Sequence, residues 1–270
     1  MKLILVQPQL CVDAGADNIG TVRAALETTR VDFAAEDIVV LPEGVDRREH
    51  GYEADVTALA RSLGCHVVGG SRRETVGNGT INAGLVFDNH GTVMGRYEKL
   101  RPYASERQMV RAGTTLGEFT IGGRNLLVLI CADFWFADLF QRAARLPDLV
   151  LVAALSVTRK TTPDYSRTLW RHLAVARAYE FAVYVGISDW GYPSGLDGGF
   201  PCGVGGFADP TATAPERFFT PIGDRQVAVF EVDFATLDAF RHDRTSRGFF
   251  WKSTATDALQ PRAAPRASAT

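Results

Sequence analysis

The sequence of 270 residues lacks a long hydrophobic run, and this absence argues against an α-helix that spans a membrane. Its longest apolar stretches, residues 126–131 and 149–155, are far shorter than the roughly 20 residues that a span requires. The apolar stretch at residues 3–6 is also too short for a secretory signal. We therefore expect a protein that makes no contact with a membrane.

The chain also lacks an excess of charge of either sign. Its 29 Lys and Arg residues against 31 Asp and Glu residues give a formal net charge of −2. This balance provides no overall attraction to nucleic acid or to an anionic membrane, so we expect a small molecule as the main partner. The hydrophobic fraction of 46% is typical of a globular protein and argues against disorder.

Cysteine is scarce, and Cys11, Cys65, Cys131 and Cys202 are scattered without a C-x-x-C motif or a cluster with histidine. This distribution argues against a zinc site or another metal site and against a disulfide framework, and it fits a reduced, cytoplasmic setting. Each cysteine is therefore a candidate thiol nucleophile. The sequence also lacks the G-x-S-x-G motif of serine hydrolases and the phosphate-binding G-x-x-x-x-G-K loop.

Strand and helix signals alternate along the chain and are interrupted by strand-strand hairpins. Helices are predicted from about residue 18 and over residues 54–63, 134–145, 163–180 and 234–240. Short apolar runs predict strands at residues 3–7, 38–41, 66–69, 80–87, 92–97, 126–130, 149–153, 183–187, 203–208 and 226–232. The hairpins within this alternation predict an α/β fold in which two mixed β-sheets pack face to face, covered by helices.

The domain organisation follows from the absence of a low-complexity linker inside the chain. Residues 1–255 are predicted to form a single domain. Residues 256–270 lack an apolar period and are predicted to form a tail that is flexible or packs on a partner subunit. An irregular stretch from residue 99 to about 117 stands out, because long loops in compact domains often carry function.

In three places an apolar strand runs into a residue that can carry chemistry. These strands lead to Glu43, Lys99 and Cys131. A rigid sheet fixes groups at strand ends while the following loops are free to vary. The step from strand to predicted helix at Cys131 resembles a nucleophile elbow. There the helix N-terminus would stabilise a thiolate, and the Ala132 amide would face an oxyanion.

Each of these residues has a plainer interpretation when it is taken alone. Cys131 fits a small buried hydrophobic side chain, Glu43 lies in an ordinary Pro-Glu-Gly turn, and Lys99 fits a solvated strand end. Their order and their three contexts together carry the functional argument.

In that order, with the contexts strand-Pro-Glu, Tyr-x-Lys and strand-Cys-x-Asp, the sequence resembles the nitrilase superfamily of carbon–nitrogen hydrolases and its Glu-Lys-Cys triad. The resemblance covers roughly residues 1–250 and favours the amidase or carbamoyl-amine amidase branch. A second glutamate of the family, in the loop after the lysine, matches Glu106. The family's helix with Trp before Arg-Ala-x-Glu resembles residues 170–180, and its late strand ending in Asp-Pro resembles residues 203–210.

The resemblance implies a four-layer αββα sandwich and a thioester mechanism that requires no metal or organic cofactor. Glu43 would be the general base and Cys131 the nucleophile. Lys99 and the Ala132 amide would stabilise the tetrahedral intermediate. Glu106 would hold Lys99 or the substrate nitrogen in place. A homodimer or a larger homo-oligomer is expected on the resemblance alone.

The run that begins at the cysteine departs from the family pattern. Residues 131–138 read Cys-Ala-Asp-Phe-Trp-Phe-Ala-Asp, whereas the family often has Cys-Tyr-Asp-x-Arg-Phe-Pro-Glu. Trp135 replaces that arginine, as a tryptophan does in the carbamoyl-polyamine amidase branch. Asp138 replaces the glutamate, and Ala132 is expected to open space beside the thiol.

These departures bear on the substrate. Nitrile-cleaving members commonly have Cys-Trp-Glu at this position, so we expect hydrolysis of a small amide or an N-carbamoyl amine. Tyr103, Trp135 and Trp190 are expected to line the substrate pocket. Ser188 stands near an asparagine of the family and Gly205 near a serine, which leaves the exact substrate open.

Other functions remain compatible with the same residues. An amine that intercepts the thioester would make the protein an acyltransferase, and nitrile hydrolysis would use the same triad. A Cys-His hydrolase would instead depend on a histidine such as His66 or His172. The alternative outside enzymes is a non-catalytic scaffold that kept the fold.

Overall fold

The computed structural model describes residues 1–195 and 199–251, and in them the chain forms two mixed β-sheets. The strands of the first sheet are β1 (Lys2–Val6), β2 (Ile38–Val40), β3 (His66–Val68), β4 (Arg72–Val76), β5 (Gly79–Phe87), β6 (Val93–Glu98) and β15 (Val227–Glu231). Their order is β15-β1-β2-β3-β5-β4, and β6 also pairs with β5. The central strands β1, β2 and β3 are parallel, so their carboxyl ends lie at one edge of the sheet.

The second sheet has the order β14-β13-β11-β9-β8-β7. Its strands are β7 (Gly117–Ile121), β8 (Arg124–Ile130), β9 (Leu149–Ala153), β11 (Tyr184–Ser188), β13 (Gly206–Ala208) and β14 (Phe219–Pro221). Because β8, β9 and β11 are parallel, the carboxyl ends of these strands also lie together. A separate two-stranded ribbon pairs β10 (Val157–Thr158) with β12 (Phe200–Pro201).

Helices cover the outer faces of both sheets. They are α1 (Asn18–Thr29), α2 (Tyr52–Leu63), α3 (Asp138–Arg142), α4 (Asp164–Phe181) and α5 (Phe234–Ser246). The carboxylate of Asp17 caps α1 by accepting a 2.8 Å hydrogen bond from the Gly20 amide. Within residues 1–195 and 199–251, no helix has both the length and the apolar character needed to cross a membrane.

Alternate side chains of the central strands face two different cores, which explains why these strands are apolar throughout. In β1, Leu3 and Leu5 belong to the core between the two sheets, while Ile4 and Val6 belong to the core under α1 and α2. Strand β8 divides its side chains in the same way between the core between the sheets and the core under α3 and α4. The predicted α/β sandwich of two mixed sheets covered by helices is confirmed.

The two sheets approach closely along β11. A Cβ atom at Gly186 would lie 2.5 Å from Cδ2 of Leu3, so only glycine fits there without displacing the opposite sheet. Two residues further on, the Ser188 hydroxyl donates to the Val40 carbonyl at 2.7 Å and accepts from the Val6 amide at 3.1 Å. These bonds hold the carboxyl ends of β2 and β11 together, next to the candidate site.

The sequence prediction fails most clearly after Cys131. In place of a helix over residues 134–145, the chain forms a five-residue 3-10 turn, Cys131–Trp135, followed by the short helix α3. The Asp133 carboxylate causes this tight turn, because it accepts hydrogen bonds from the amides of Ile130, Leu100 and Arg101.

Smaller differences concern the edges of the sheets and the end of the chain. The strands β4, β7 and β14 were not predicted, because their exposed or mixed residues lack a clear apolar signal. Helix α5 runs six residues beyond its predicted end at residue 240. The predicted tail, residues 256–270, lies outside the described residues.

Candidate active site

Glu43 lies in the turn after β2 and is buried, with 5% of its surface exposed. Its main chain is fixed from the second sheet, because its amide donates to the Ala154 carbonyl at 3.1 Å. The indole of Trp190 donates to the Glu43 carbonyl at 2.8 Å. These two bonds set the position from which the Glu43 carboxylate enters the site.

Lys99 follows β6 and is also buried, with 3% of its surface exposed. Its ammonium group lies between two carboxylates, at 2.6 Å from Oε1 of Glu43 and 2.6 Å from Oε2 of Glu106. A buried lysine requires such partners, because an unpaired charge in the interior is costly. The sequence reasoning predicted that Glu106 would hold Lys99, and the two side chains are in contact.

Glu106 belongs to a 3-10 turn, Ala104–Gln108, in the irregular stretch after Lys99. Its Oε2 atom also accepts a 3.1 Å hydrogen bond from the Tyr103 amide. The same carboxylate therefore closes its own turn and binds the lysine, which fixes the loop to the site.

Asn82 in β5 completes this cluster, and the sequence reasoning missed it. Its side-chain amide donates to Glu43 Oε1 at 2.7 Å and to Glu106 Oε1 at 3.2 Å. Its main-chain carbonyl accepts from the Lys99 amide at 2.8 Å. The available signal was a single polar residue inside an otherwise apolar strand, Ile-Asn-Ala-Gly-Leu-Val-Phe. We call Glu43, Asn82, Lys99 and Glu106 the carboxylate–lysine cluster.

Cys131 is half-buried at the end of β8, and its backbone has a φ of 45°, in the left-handed region. A side chain that is not glycine pays about 1–3 kcal/mol for such a conformation, and strain of this kind is concentrated at functional sites. The thiol lies 3.7 Å from the Leu155 carbonyl and also forms a hydrogen bond with the Glu43 carboxyl group. The strained turn thus directs the sulfur towards the carboxylate–lysine cluster.

The charges in the site keep the thiol protonated at rest. Burial and the Glu43 carboxylate raise the pKa of Cys131 well above its ordinary value, and Lys99 opposes this only in part. The expectation of a thiolate stabilised by a helix N-terminus is therefore corrected, since a short 3-10 turn follows the cysteine in place of the predicted helix.

The two other charged groups respond differently to burial. Burial raises the pKa of Glu43 above 4.5, with Lys99 acting in the opposite direction. Burial alone would lower the pKa of Lys99, but the negative groups around it outweigh this effect and raise the pKa. Lys99 therefore stays charged, while Glu43 has an increased affinity for a proton.

Asp133 joins the cysteine turn to the lysine loop. Its carboxylate accepts from the Arg101 amide at 2.7 Å and the Leu100 amide at 3.2 Å, both directly after Lys99. Burial raises the pKa of Asp133 to about 7, against the effect of these amide donors. Because of this link, Cys131 and Lys99 cannot move independently.

An open cleft of about 890 Å³ lies beside these residues. Ala132 and Tyr103 line it, as expected from the sequence, and Tyr103 is 71% exposed. Trp135 and Trp190 are not among the described residues that line it. Trp190 is fully buried against Glu43, and Trp135 packs edge-on against Trp170, with ring centroids 5.7 Å apart.

The described part of the chain holds no group of three or more His, Cys, Asp or Glu side chains arranged to bind a metal ion. The chemistry available in the site is that of a thiol, a carboxylate with raised proton affinity and a fixed ammonium group. Together these can perform nucleophilic attack, proton transfer and stabilisation of a developing anion.

A family model described as carbon-nitrogen hydrolase matches residues 23–196 of this chain. The match covers more than half of the sequence and includes Glu43, Lys99, Glu106 and Cys131. The chain therefore belongs to the carbon-nitrogen hydrolase family, within the nitrilase superfamily.

Solved structures of the superfamily have the same fold. Nit3 of Saccharomyces cerevisiae, a member of branch 10 of the nitrilase superfamily, is 18% identical with a TM-score of 0.74, over 90% of this chain and 93% of its own. A CN-hydrolase superfamily protein of Xanthomonas campestris is 20% identical with a TM-score of 0.73, over 94% and 98%. An amidase of Nesterenkonia sp. AN1 is 19% identical with a TM-score of 0.67, over 92% and 99%. The comparison with curated proteins finds no match.

Proposed function

We propose that this carbon-nitrogen hydrolase cleaves the C–N bond of a small amide or N-carbamoyl amine through a thioester on Cys131. The observation that carries the proposal is the placement of Lys99 Nζ at 2.6 Å from both Glu43 and Glu106, with the Cys131 thiol hydrogen-bonded to Glu43. A purely structural ion pair would not require a strained cysteine beside it.

In the acylation half-reaction, Glu43 removes the proton of the Cys131 thiol as the sulfur attacks the substrate carbonyl carbon. The proton transfer accompanies the attack because the raised pKa of Cys131 disfavours a free thiolate. The intermediate then collapses, its C–N bond breaks, and Glu43 returns the proton to the leaving nitrogen. Ammonia or an amine departs, and a thioester remains.

The negative oxygen of the tetrahedral intermediate is stabilised by Lys99 and by the Ala132 amide. Ala132 is the second residue of the 3-10 turn, so its N–H has no partner within that turn. Lys99 stays protonated, because its neighbouring carboxylates raise its pKa. Removal of one such donor typically costs about 10²–10³-fold in rate.

In the deacylation half-reaction, Glu43 takes a proton from water, which attacks the thioester carbon. The carbon–sulfur bond breaks, the acid product forms, and the thiol regains its proton. Glu106 and Asn82 act as positioning residues here, because they hold Lys99 and Glu43 in place through hydrogen bonds of 2.6 to 3.2 Å.

An amide is favoured over a nitrile by two observations. The elbow reads Cys-Ala-Asp, unlike the Cys-Trp-Glu of nitrile-cleaving members. The amidase of Nesterenkonia sp. AN1, which shares the fold, was solved with acrylamide added to its active-site cysteine. Transfer of the acyl group to an amine uses the same thioester and remains an outcome of the test.

The test is intact-protein mass spectrometry after incubation with a panel of small amides, N-carbamoyl amines and nitriles. We expect a mass adduct on Cys131 that accumulates in Glu43→Gln, because that variant has lost the base that activates water. Cys131→Ala must abolish the adduct. Cys11→Ala, which removes an exposed cysteine, must not change it.

Hydroxylamine distinguishes the alternatives, since formation of a hydroxamate reports an acyl group that an amine can intercept. Ammonia release from several amides without added acceptor supports hydrolysis. Turnover that requires an added amine indicates an acyltransferase. Neither an adduct nor ammonia across the panel would contradict the proposal.

A further inference from the structure

The charged residues that line the cleft beside Cys131 are all of one sign. They are Arg101, Arg107 and Arg111, and no Asp or Glu is among the described lining residues. This is not general for the surface, because a second cleft of about 480 Å³ is lined by Glu49 and Glu53 together with Arg72.

The three arginines differ in how their charges are compensated. Arg101 is neutralised by Asp138, with Nη2 and Oδ2 2.5 Å apart, and its guanidinium lies over the Phe136 ring. Arg111 is held by neutral acceptors, the Val76 carbonyl at 2.7 Å and Asn78 at 3.5 Å. Among the described residues, no carboxylate forms a salt bridge with Arg107 or Arg111. Two positive charges in the cleft therefore lack a negative partner.

These charges are linked to the reaction centre by the chain itself. Arg107 follows Glu106 in the 3-10 turn that binds Lys99. Ala132, next to Cys131, and Leu100, next to Lys99, line the same cleft. A substrate whose carbonyl lies at Cys131 would therefore extend into the space that Arg107 and Arg111 border.

We propose that Arg107 and Arg111 bind a carboxylate at the far end of the substrate, so that the preferred substrates are amides that carry a carboxylate. This inference rests on the proposed function, because it assigns the substrate class of the same site. The planar guanidinium group matches the two oxygens of a carboxylate and forms charge-assisted hydrogen bonds with it. Arg111 is partly ordered for this role by its bond to Val76.

The test compares two amides of equal chain length, glutaramic acid and pentanamide, which differ only in a carboxylate in place of a methyl group. We expect kcat/KM to be about tenfold or more higher for glutaramic acid, as a charge-assisted hydrogen bond allows. The difference should lie mainly in KM and should shrink as salt is added, since the arginines are exposed.

Variants locate this preference. Arg107→Gln should lower kcat/KM for glutaramic acid about tenfold more than for pentanamide. Arg107→Lys should restore the preference in part, because lysine supplies the charge without the fork. The matched control is Arg217→Gln, an exposed arginine in a 3-10 turn that does not line the cleft, and it should leave the ratio unchanged.

Binding of glutarate, measured by calorimetry, separates this inference from the proposed function. Equal turnover of the two amides, with a ratio that Arg107→Gln does not change, would overturn the carboxylate site and leave the hydrolase intact. Salt-sensitive glutarate binding that Arg107→Gln weakens, in a protein that forms no adduct on Cys131, would support the site and overturn the hydrolase. No glutarate binding and no adduct would overturn both.

Discussion

Two buried carboxylates follow central strands, one in each sheet, and their surroundings differ. Glu43 follows β2, and its Oε1 atom accepts from Lys99 and Asn82. Asp189 directly follows β11 and accepts from the amides of Ser156 at 3.0 Å and Val204 at 2.9 Å, and from the Ser156 hydroxyl. Burial raises the pKa of both carboxyl groups.

The comparison teaches what distinguishes a structural carboxylate from a reactive one. The partners of Asp189 are mainly backbone amides, which cannot change their charge, so Asp189 fixes the loops that follow β9 and β12. The partners of Glu43 are an ammonium group, a side-chain amide and a thiol. A proton can pass from that thiol to Glu43 while Lys99 keeps the cluster electrostatically balanced.

The largest effect is expected for Glu43→Gln, which keeps the shape of the side chain but removes the base. Turnover should fall about 10³-fold, as is typical when a general base is lost, while the thermal midpoint changes little. Activity assays and circular dichroism would measure the two effects. Retention of activity within tenfold of wild type would remove the functional side of the comparison.

Asp189→Ala should act on stability instead. It leaves the buried amides of Ser156 and Val204 unpaired, and we expect a loss of about 3 kcal/mol in the free energy of unfolding. Denaturant titration would measure this loss. Unchanged stability, with activity as low as in Glu43→Gln, would place Asp189 in the chemistry and end the distinction.

The pH dependence of activity sharpens the comparison further. Only ionised Glu43 can take a proton, and its pKa lies above 4.5, so kcat/KM should fall as the pH drops through a range above that value. Asn82→Asp places a further negative charge beside Glu43 and should move this acidic limb up by about one pH unit.

Asn82→Ala serves as the control for that shift. It removes the bridging amide without adding a charge, so its pH profile should move less than that of Asn82→Asp. An identical profile for the two variants would show that Asn82 acts only through packing.

The smallest effect is expected at an exposed ion pair far from both carboxylates. Arg124 binds Asp238 through two bonds of 3.0 and 2.9 Å at the surface. Asp238→Asn should cost less than about 1 kcal/mol in the free energy of unfolding, because solvent screens such pairs. A loss as large as that of Asp189→Ala would mean that burial does not separate the two classes.

Much of the site was predictable because its residues follow apolar strands. Glu43, Lys99 and Cys131 stand at strand ends, and a sheet with parallel central strands brings such ends together. Asn82 was not predictable, since it lies within β5 and reaches the site only because β6 pairs beside it. Trp190 was expected to contact substrate, but its indole supports the main chain of Glu43.

The sequence by itself determined the α/β class, the alternation of side chains between two cores, and the order of the candidate catalytic residues, because these depend on local pattern. Only the tertiary structure decided the left-handed turn at Cys131, the bridge made by Asn82 and the cleft bordered by Arg107 and Arg111. These features depend on segments distant in the chain. The carboxylate of Asp133 holds the cysteine turn against the lysine loop, and such long-range bonds leave no periodic signal in the sequence.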